Sequence, residues 1–233
     1  MSPNSESGTL YVIGTPIGNL GDMSNRVIST LQECDMIACE DTRITVKLLH
    51  HAGIEKHLIS YRDDNESYVA QQLLGLLLDG KNIAVVSDAG VPTISDPGFR
   101  ITRLCQKNKL PIVPIPGPCA LITTLSASGL PTDAFLFLGF LAPKKAARIR
   151  TFQQYLDFPH TLVFYESPHR ILKFLEDLVE VYEPQRCICV AKELTKLHER
   201  IVSGPLVEIK EQVESRSIKG EFVVAIAPSG FEL

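Results

Sequence analysis

Stretches typical of β-strands alternate with stretches typical of α-helices along the whole chain, and this alternation restricts the fold more than any other feature. Helical connections between strands favour parallel pairing, so the pattern predicts an α/β protein with largely parallel sheets. The 233 residues are 45% hydrophobic and 21% charged, a balance that can bury a core and excludes a disordered protein. At roughly 150 residues per domain, the length predicts one or two compact domains.

Hydrophobic spacing places four strands and four helices in the first half of the chain. Val69, Leu73, Leu76 and Leu77, for example, recur at helical spacing before the stop signal Asp79-Gly80. The predicted strands are residues 9–13, 36–40, 83–87 and 110–115, and the predicted helices are residues 24–34, 42–52, 66–78 and 99–107.

Three prolines within residues 113–118 make this segment the best candidate for an interdomain hinge. We therefore predict an N-terminal α/β domain of residues 1–115 and a C-terminal α/β domain of residues 116–233. In the second domain the predicted strands are residues 161–166, 187–192, 200–203 and 222–227, with helices starting at Pro168 and Pro205.

Composition excludes several classes of protein. The longest strongly apolar stretch is residues 134–142, whereas a membrane-spanning helix needs about 20 residues. Residues 1–8 have neither a basic nor an apolar signal region, which predicts a cytoplasmic location. A net charge of −4 argues against binding nucleic acid through global charge, although local basic clusters remain available.

The cysteines form no CxxC pair and have no histidine at ligand spacing, so we expect reduced core residues and no metal site. They are Cys34, Cys39, Cys105, Cys119, Cys187 and Cys189.

Three loops follow predicted strands, where open α/β sheets bind ligands. Residues 14–21 lack the G-x-G-x-x-G dinucleotide pattern, and a turn that uses glycine for positive φ is an equally good interpretation. Residues 87–98 are longer than a plain connector and rich in Asp, Gly and Pro, which favours a ligand loop. Residues 116–121 open a helix, with Pro118 suited to its first position, and taken alone they indicate a helix start and nothing more.

Two motifs place a carboxylate and an arginine at a strand end: residues 40–43 (EDTR) and 165–170 (YESPHR). Helix capping by Asp41 and by Ser167 is the alternative explanation for both. Capping does not account for Arg43, Glu166 or Arg170, so a functional role remains open for them. The polar turn at residues 61–66 needs no function beyond starting a helix.

Residues 143–150 (PKKAARIR) concentrate four cations in an otherwise acidic chain. Such a cluster can bind phosphates, but taken alone it is more typical of a solvated helix face.

The order of these motifs resembles that of the bacterial small-subunit ribosomal RNA 2′-O-ribose methyltransferase I family, in the tetrapyrrole methylase superfamily. The matching motifs, in order, are TPIGNL, EDTR, DNE, SDAGVPTISDPG, PGPCA, GLP, GFL, YESPHR, ELTK and KGE, and they run from about Thr9 to Ala227. The chain departs from the family pattern at Val91, where Thr is usual, and at Arg62. It also ends just past its last strand, without the C-terminal extension common in the family.

The resemblance implies two α/β domains of tetrapyrrole-methylase type, with S-adenosylmethionine in the cleft between them, and a homodimer. Recognition of the cofactor would be mostly through backbone groups. The family's cofactor loops carry over onto Thr15, Pro16, Ser87, Asp88, Ala89, Gly90, Pro92, Pro116, Gly117, Tyr165, Glu193 and Leu194.

The implied reaction is attack by a ribose 2′ oxygen on the sulfonium methyl, on a cytidine in the decoding region of 16S ribosomal RNA, free or within the small subunit. Alignment would supply much of the catalysis, with help from a general base. Candidates for the base are Glu166, Asp41 and His169; Glu166 could instead orient Arg170. RNA phosphates would be bound by Arg43, Lys144, Lys145, Arg148 and Arg170.

Two alternatives are a methylase acting on a tetrapyrrole and a non-catalytic ribosome-assembly factor that binds RNA. The charged motifs weigh against the first, because a porphyrin-like substrate needs no phosphate contacts. The intact cofactor loops weigh against the second.

Overall fold

The computed structural model describes residues 7–233. They form two compact units, of which the first ends at Cys119 and the second comprises Ala120–Leu233. Residues 1–6, which carry most of the segment interpreted as lacking a targeting signal, lie outside the described residues. Within residues 7–233, no helix has both the length and the apolar character needed to cross a membrane.

The first unit is built on a parallel sheet with strand order β3-β2-β4-β1-β5. Its strands are β1 (Leu10–Ile13), β2 (Met36–Cys39), β3 (His57–Ser60), β4 (Ile83–Val86) and β5 (Ile112–Ile115). Its helices are α1 (Asn25–Glu33), α2 (Thr42–His51), α3 (Glu66–Leu78) and α4 (Phe99–Lys107), with a 3₁₀ turn at Leu20–Asp22. Because all five strands run the same way, the loops that follow them emerge at one edge of the sheet.

Apolar clusters lie on both faces of this sheet, as expected for parallel strands covered by helices. One cluster joins strand residues such as Leu10 and Ile83 to Leu73 of α3 and Ile101 of α4. The other includes Ile13, Val86 and residues of α1 and α2.

Side chains and one glycine set the helix ends in this unit. The Ser24 hydroxyl accepts a hydrogen bond from the Val27 N–H, and the Asp41 carboxylate accepts one from the Arg43 N–H. Gly53, at φ +66°, follows α2. The capping role predicted for Asp41 is therefore confirmed.

The second unit contains a mixed sheet with strand order β6-β7-β10-β8-β9. Its strands are β6 (Phe135–Phe140), β7 (Thr161–Glu166), β8 (Cys187–Lys192), β9 (Arg200–Pro205) and β10 (Phe222–Ile226). Its helices are α5 (Ala120–Ser128), α6 (Lys145–Gln154), α7 (Ile171–Val181) and α8 (Leu206–Glu214). Only β6 and β7 pair in parallel.

The prediction of largely parallel sheets is thus correct for the first unit and wrong for the second. The chain passes from β8 to β9 through a loop with no helix, and such a short connection joins antiparallel neighbours. Strand β10 then enters the sheet between β7 and β8, antiparallel to both.

Aromatic rings fill the core of the second unit. Phe152 of α6 makes edge-to-face contacts with Phe164 of β7, Phe174 of α7 and Tyr182. Five of the six cysteines, Cys34, Cys39, Cys105, Cys187 and Cys189, are buried, so their predicted place in the core is confirmed.

Two strands were missed from the sequence, and both lie at sheet edges. β3 is only half-buried, and β6 has a register irregularity between Phe137 and Gly139. The apolar signal of β3 is weak, as expected for an exposed sheet edge, whereas β6 lies in the strongly apolar stretch of residues 134–142 and could have been identified from it.

Two predicted helix starts need correction. α7 begins at Ile171 rather than Pro168, because a turn closed by the Ser167 carbonyl precedes it. The N-cap is Arg170, so the capping role suggested for Ser167 is wrong. α5 begins at Ala120, so Pro118 precedes the helix instead of occupying its first position. Residues 113–115 of the predicted hinge belong to β5.

Candidate active site

The first turn and the long loop of the first unit meet in a short antiparallel bridge. The Thr15 N–H donates to the Gly90 carbonyl at 2.8 Å, and the Gly90 N–H donates to the Thr15 carbonyl at 3.2 Å. The Thr15 hydroxyl donates to the Ser87 carbonyl, and the Ser87 hydroxyl donates to the Gly90 carbonyl, each at 3.1 Å. Two of the predicted ligand loops are therefore joined at the carboxyl edge of the parallel sheet.

The third predicted loop packs against the first turn through two glycines, since the backbone of Gly117 lies directly against that of Gly14. The structure thus brings Thr15, Ser87, Gly90 and Gly117 into one neighbourhood. Of the other cofactor residues predicted in this unit, Pro16 and Pro92 are buried, Asp88 is half-buried, and Ala89 and Pro116 are exposed.

The long loop follows a strained path. Gly90 and Gly98 have φ of +88° and +132°, and Thr93 and Ser95 have φ of +76° and +64°. A β-branched residue such as Thr rarely adopts this conformation, at a cost of about 1–3 kcal/mol. Strain of this kind is concentrated at ligand-binding and catalytic loops, so it favours the functional interpretation of residues 87–98.

Glu66 anchors the end of this loop. Its Oε1 accepts hydrogen bonds from the Gly98 N–H and the Tyr61 hydroxyl, both at 2.9 Å, and its Oε2 accepts one from the Arg100 side chain at 3.1 Å. Burial alone would raise the pKa of Glu66, but the hydrogen bonds from Gly98 and Arg100 lower it below the ordinary value. The turn at residues 61–66 therefore does more than start α3.

Acidic side chains gather where β2, β3 and β4 end. Burial, followed by the charges of Asp88 and Asp63, raises the pKa of Glu40, and burial likewise raises that of Asp88. The largest effect falls on Asp96, whose pKa rises to about 7 through burial and then through Glu40, with smaller contributions from Asp88 and Asp63. The Ser87 hydroxyl opposes this rise by hydrogen bonding to Asp96.

Asp96 is a residue that sequence reasoning missed as a candidate. A carboxyl group with a pKa near neutrality can exchange a proton at physiological pH, which is the requirement for general acid–base catalysis. The sequence signal that could have pointed to this site is the set of acidic residues, Glu40, Asp63 and Asp88, that follow neighbouring strands of the parallel sheet.

Asp41 has the opposite electrostatic environment. Its carboxylate forms an ion pair with Arg43 at 2.5 Å, and hydrogen bonds from the Arg43 side chain and backbone lower its pKa to about 2. Its own N–H donates to the Asp88 carboxylate at 2.9 Å. A carboxylate with so low a pKa is a weak base near neutral pH. The Arg43 side chain is 86% exposed.

In the second unit, Glu166 is buried and already bonded. It accepts hydrogen bonds from the Ser167 N–H at 2.7 Å and from two nitrogens of Arg170 at 2.8 and 3.0 Å. Arg170 also donates to the Leu141 carbonyl at 3.1 Å. This geometry favours a role for Glu166 in orienting Arg170. His169, in contrast, is exposed.

The remaining predicted cofactor residues lie in two other places in the second unit. The Tyr165 hydroxyl accepts a hydrogen bond from the Leu121 N–H at the start of α5. Glu193 has φ +50° and forms an ion pair with Lys196 at 2.8 Å, and Leu194 is buried.

The predicted basic cluster divides into two kinds of residue. Arg148 is 4% exposed and forms a buried ion pair with Asp177 at 2.6 Å, while also donating to the Pro143 carbonyl. Its guanidinium is buried and bonded to Asp177 and Pro143, so the expectation that it binds RNA phosphate is not supported. Lys144 and Lys145 are exposed at the start of α6, and Lys145 pairs with Glu180.

Within residues 7–233, no group of three or more His, Cys, Asp or Glu side chains is arranged to hold a metal ion.

Comparison with known proteins identifies the family. The model of the tetrapyrrole (corrin/porphyrin) methylases matches residues 9–210. The chain is similar in fold to the methyltransferase CobJ, at 20% identity and a TM-score of 0.68, covering 96% of this chain and 95% of that one. It is also similar to a uroporphyrin-III C-methyltransferase from Thermus thermophilus complexed with S-adenosyl homocysteine, at 15% identity and a TM-score of 0.63, covering 94% and 97%.

Relatives of higher identity include proteins named ribosomal RNA small subunit methyltransferase I. The protein from Escherichia coli O157:H7 is 46% identical over 97% of this chain and 79% of its own length. The protein from Pseudomonas aeruginosa is 44% identical over 95% and 79%, and that from Synechocystis is 46% identical over 94% and 79%. The chain therefore belongs to the tetrapyrrole methylase family and, within it, to the ribosomal RNA small subunit methyltransferase I group.

Proposed function

We propose that this protein transfers a methyl group from S-adenosylmethionine to the ribose 2′ oxygen of a cytidine in the decoding region of small-subunit ribosomal RNA. The observation that carries the proposal is the junction of three loops at the carboxyl edge of the parallel sheet, in a chain 42–46% identical to ribosomal RNA methyltransferases. These relatives favour RNA over a tetrapyrrole as substrate.

The loops of the first unit have the properties that this cofactor requires. Gly90, at φ +88°, allows the long loop to form its bridge to Thr15, and Gly117 allows the third loop to pack directly against Gly14. S-adenosylmethionine, when bound, supplies an activated methyl group to a nucleophilic oxygen. Tyr165, Glu193 and Leu194 are proposed as further cofactor contacts.

We assign RNA phosphate binding to the exposed cations of the predicted set and to Arg170, which is held in place by Glu166. The exposed residues are Arg43, Lys144 and Lys145. Phosphate contacts of this kind position RNA without reading its sequence.

Among the candidates for the general base, Asp96 fits best. Its pKa of about 7 leaves a proton acceptor available near neutral pH, whereas the pKa of Asp41 is about 2 and Glu166 is bonded to Arg170. Asp96 lies within the proposed cofactor loop, residues 87–98, and forms a hydrogen bond with Ser87 at the start of that loop. His169 remains the alternative base.

An enzyme that modifies ribosomal RNA would act in the cytoplasm, and we further propose that it functions as a homodimer. Sedimentation equilibrium of the purified protein tests the oligomeric state, since a single species of 25.7 kDa would contradict the dimer.

The proposed reaction is tested by incubating the protein with S-adenosylmethionine and either naked small-subunit RNA or assembled subunits, then mapping ribose methylation. A 2′-O-methyl cytidine in the decoding region is expected. A methyl group on a base, or methylation of a tetrapyrrole offered in parallel, would overturn the assignment. Calorimetric titration with S-adenosylmethionine separates an enzyme from a non-catalytic RNA-binding protein.

A further inference from the structure

A cavity of about 840 Å³ lies in the second unit, and its lining includes Glu193, one of the proposed cofactor contacts. Its apolar floor includes Val190 of β8, Val202 of β9 and Phe222 of β10. Around the floor stand four long cationic side chains contributed by separate segments of the chain, namely Lys192, Arg200, Arg216 and Lys219.

The positive charge of this cavity is poorly neutralised. In the described part of the chain, Arg200, Arg216 and Lys219 form no ion pair with a carboxylate, and the Arg200 guanidinium donates to the neutral Gln212 side chain at 2.9 Å. Desolvation, followed by the like charge of Arg216, lowers the pKa of Arg200 below its ordinary value.

The two carboxylates that line the cavity are engaged elsewhere. Glu193 forms an ion pair with Lys196, which is not a lining residue, at 2.8 Å. Glu199 accepts a hydrogen bond from the Thr195 N–H at 2.5 Å. The protein as a whole carries a net charge of −4, so this concentration of unpaired cations is a local feature.

Strand register connects the cavity with Arg170. Glu166 of β7 lies opposite Phe222 of β10. Phe222 also lies opposite Lys192 of β8 on its other side. Lys192 in turn lies opposite Arg200 of β9. Residues directly opposite one another project to the same face, and three strand spacings make this row about 14 Å long. Arg170, bonded to Glu166, marks one end of the row, and Arg200 marks the other.

We infer that this cavity binds the sugar–phosphate backbone of the RNA substrate, which would continue towards Arg170, at a site separate from the Lys144–Lys145 surface. Four cations around the cavity, together with Arg170 at the other end of the strand register, suit a polymer of phosphates better than a single small anion. Because the phosphate contacts would be electrostatic, they would supply affinity without sequence discrimination. This inference rests on the proposed RNA substrate.

The test compares two variants with the same change in charge. The cavity variant carries Arg200→Gln, Arg216→Gln and Lys219→Gln. The control carries Arg103→Gln, Lys107→Gln and Lys173→Gln, three exposed cations outside every proposed site. Binding of a decoding-region RNA fragment is measured without cofactor over a range of salt concentrations.

Loss of three phosphate contacts should reduce the slope of log affinity against log salt by roughly 2, at about 0.7 per contact for single-stranded RNA. The control should keep the wild-type slope, and both variants should keep wild-type calorimetric affinity for S-adenosylmethionine. Equal slopes in the cavity variant and control would overturn the inference while leaving the methyltransferase proposal intact. Failure of the wild type to methylate RNA would instead count against the proposed function.

A second arm distinguishes RNA from a small phosphate ligand. Inorganic pyrophosphate is titrated into the wild type and the cavity variant. Saturable binding that is lost in the variant, together with unchanged RNA affinity, would show a small-anion site and overturn the inference.

Discussion

Gly14 and Gly117 are packed backbone against backbone, so that a methyl group added to either would lie 2.7 Å from the Cα of the other. Real Cβ atoms essentially never approach other atoms so closely. Gly14 immediately follows β1, and Gly117 lies two residues beyond the end of β5. The contact therefore fixes the distance between the first turn and the loop that precedes α5.

We expect Gly117→Ala to weaken binding of S-adenosylmethionine at least tenfold and to destabilise the first unit, because the two loops must separate to accommodate the methyl group. Calorimetry and urea unfolding measure the two effects. Gly75→Ala is the matched control, since its added methyl meets no atom within 4 Å and it lies in α3. The control should be stabilised by about 0.5–1 kcal/mol. Wild-type behaviour of Gly117→Ala would show that this contact does not shape the cofactor site.

Glu66 provides a separate test of the long loop. Glu66→Ala leaves the Gly98 N–H and the Tyr61 hydroxyl without their acceptor, and each such loss costs about 1–3 kcal/mol when the group stays buried. Reduced stability and weaker cofactor binding are expected together. Glu66→Gln keeps an acceptor oxygen and should recover most of both. If Glu66→Ala lowered stability but left cofactor affinity unchanged, residues 87–98 would not form the proposed site.

Asp96 gives a prediction about pH. Its folded-state pKa of about 7 lies above the ordinary aspartate value of 3.8, so between these two pH values the folded state binds a proton that the unfolded state does not. Stability associated with Asp96 is therefore lost as pH rises through 7. Asp96→Asn should stabilise the protein at pH 8 by on the order of 1–2 kcal/mol after solvent screening, and the gain should fade towards pH 4.

If Asp96 is also the base, the same variant should lose activity while it gains stability. Single-turnover methylation by the wild type should increase as pH rises through about 7, and Asp96→Asn should reduce the rate by roughly 100-fold or more and flatten this profile. Asp79→Asn, an exposed change at the end of α3, serves as the control. An unchanged rate and profile in Asp96→Asn would exclude it and leave His169 as the alternative.

Whether an element of the fold can be predicted from the sequence depends on whether its signal is local or comes from long-range pairing. The bounds of α3 and β7 were predicted correctly because periodic apolar residues and adjacent stop signals mark them locally. β3 and the antiparallel order of the second sheet depend on long-range pairing that periodicity does not encode. The positions of the three proposed cofactor loops at one sheet edge could be predicted, because each loop follows a strand of one parallel sheet.

Electrostatic roles were harder to predict, because they depend on partners distant in sequence. Arg148 sits among exposed lysines in the sequence, yet its partner Asp177 lies 29 residues away. The raised pKa of Asp96 depends on Glu40 and on burial, neither of which a local motif reveals.

The buried Arg148–Asp177 pair predicts that, within the basic cluster, Arg148 stabilises the fold and Lys144 contributes to RNA binding. Arg148→Ala leaves the Asp177 carboxylate buried without its partner and should cost about 3–5 kcal/mol of unfolding free energy. Lys144→Ala should leave stability nearly unchanged but reduce the salt dependence of RNA binding. Urea unfolding and salt-dependent binding measure both. An Arg148→Met/Asp177→Leu variant should recover the unfolding free energy. If its RNA binding also became less dependent on salt, Arg148 would be a phosphate ligand.

The last prediction concerns how Glu166 acts. Its buried carboxylate bonds two nitrogens of Arg170, so Glu166→Gln preserves shape but removes the charge that holds the guanidinium. We expect RNA affinity to fall severalfold, while the single-turnover rate at saturating RNA and cofactor stays within a few-fold of wild type. In an Arg170→Gln background, Glu166→Gln should have little further effect on RNA affinity, because the two residues act as one unit. A loss of roughly 100-fold in the saturated rate, independent of residue 170, would instead identify Glu166 as the proton acceptor.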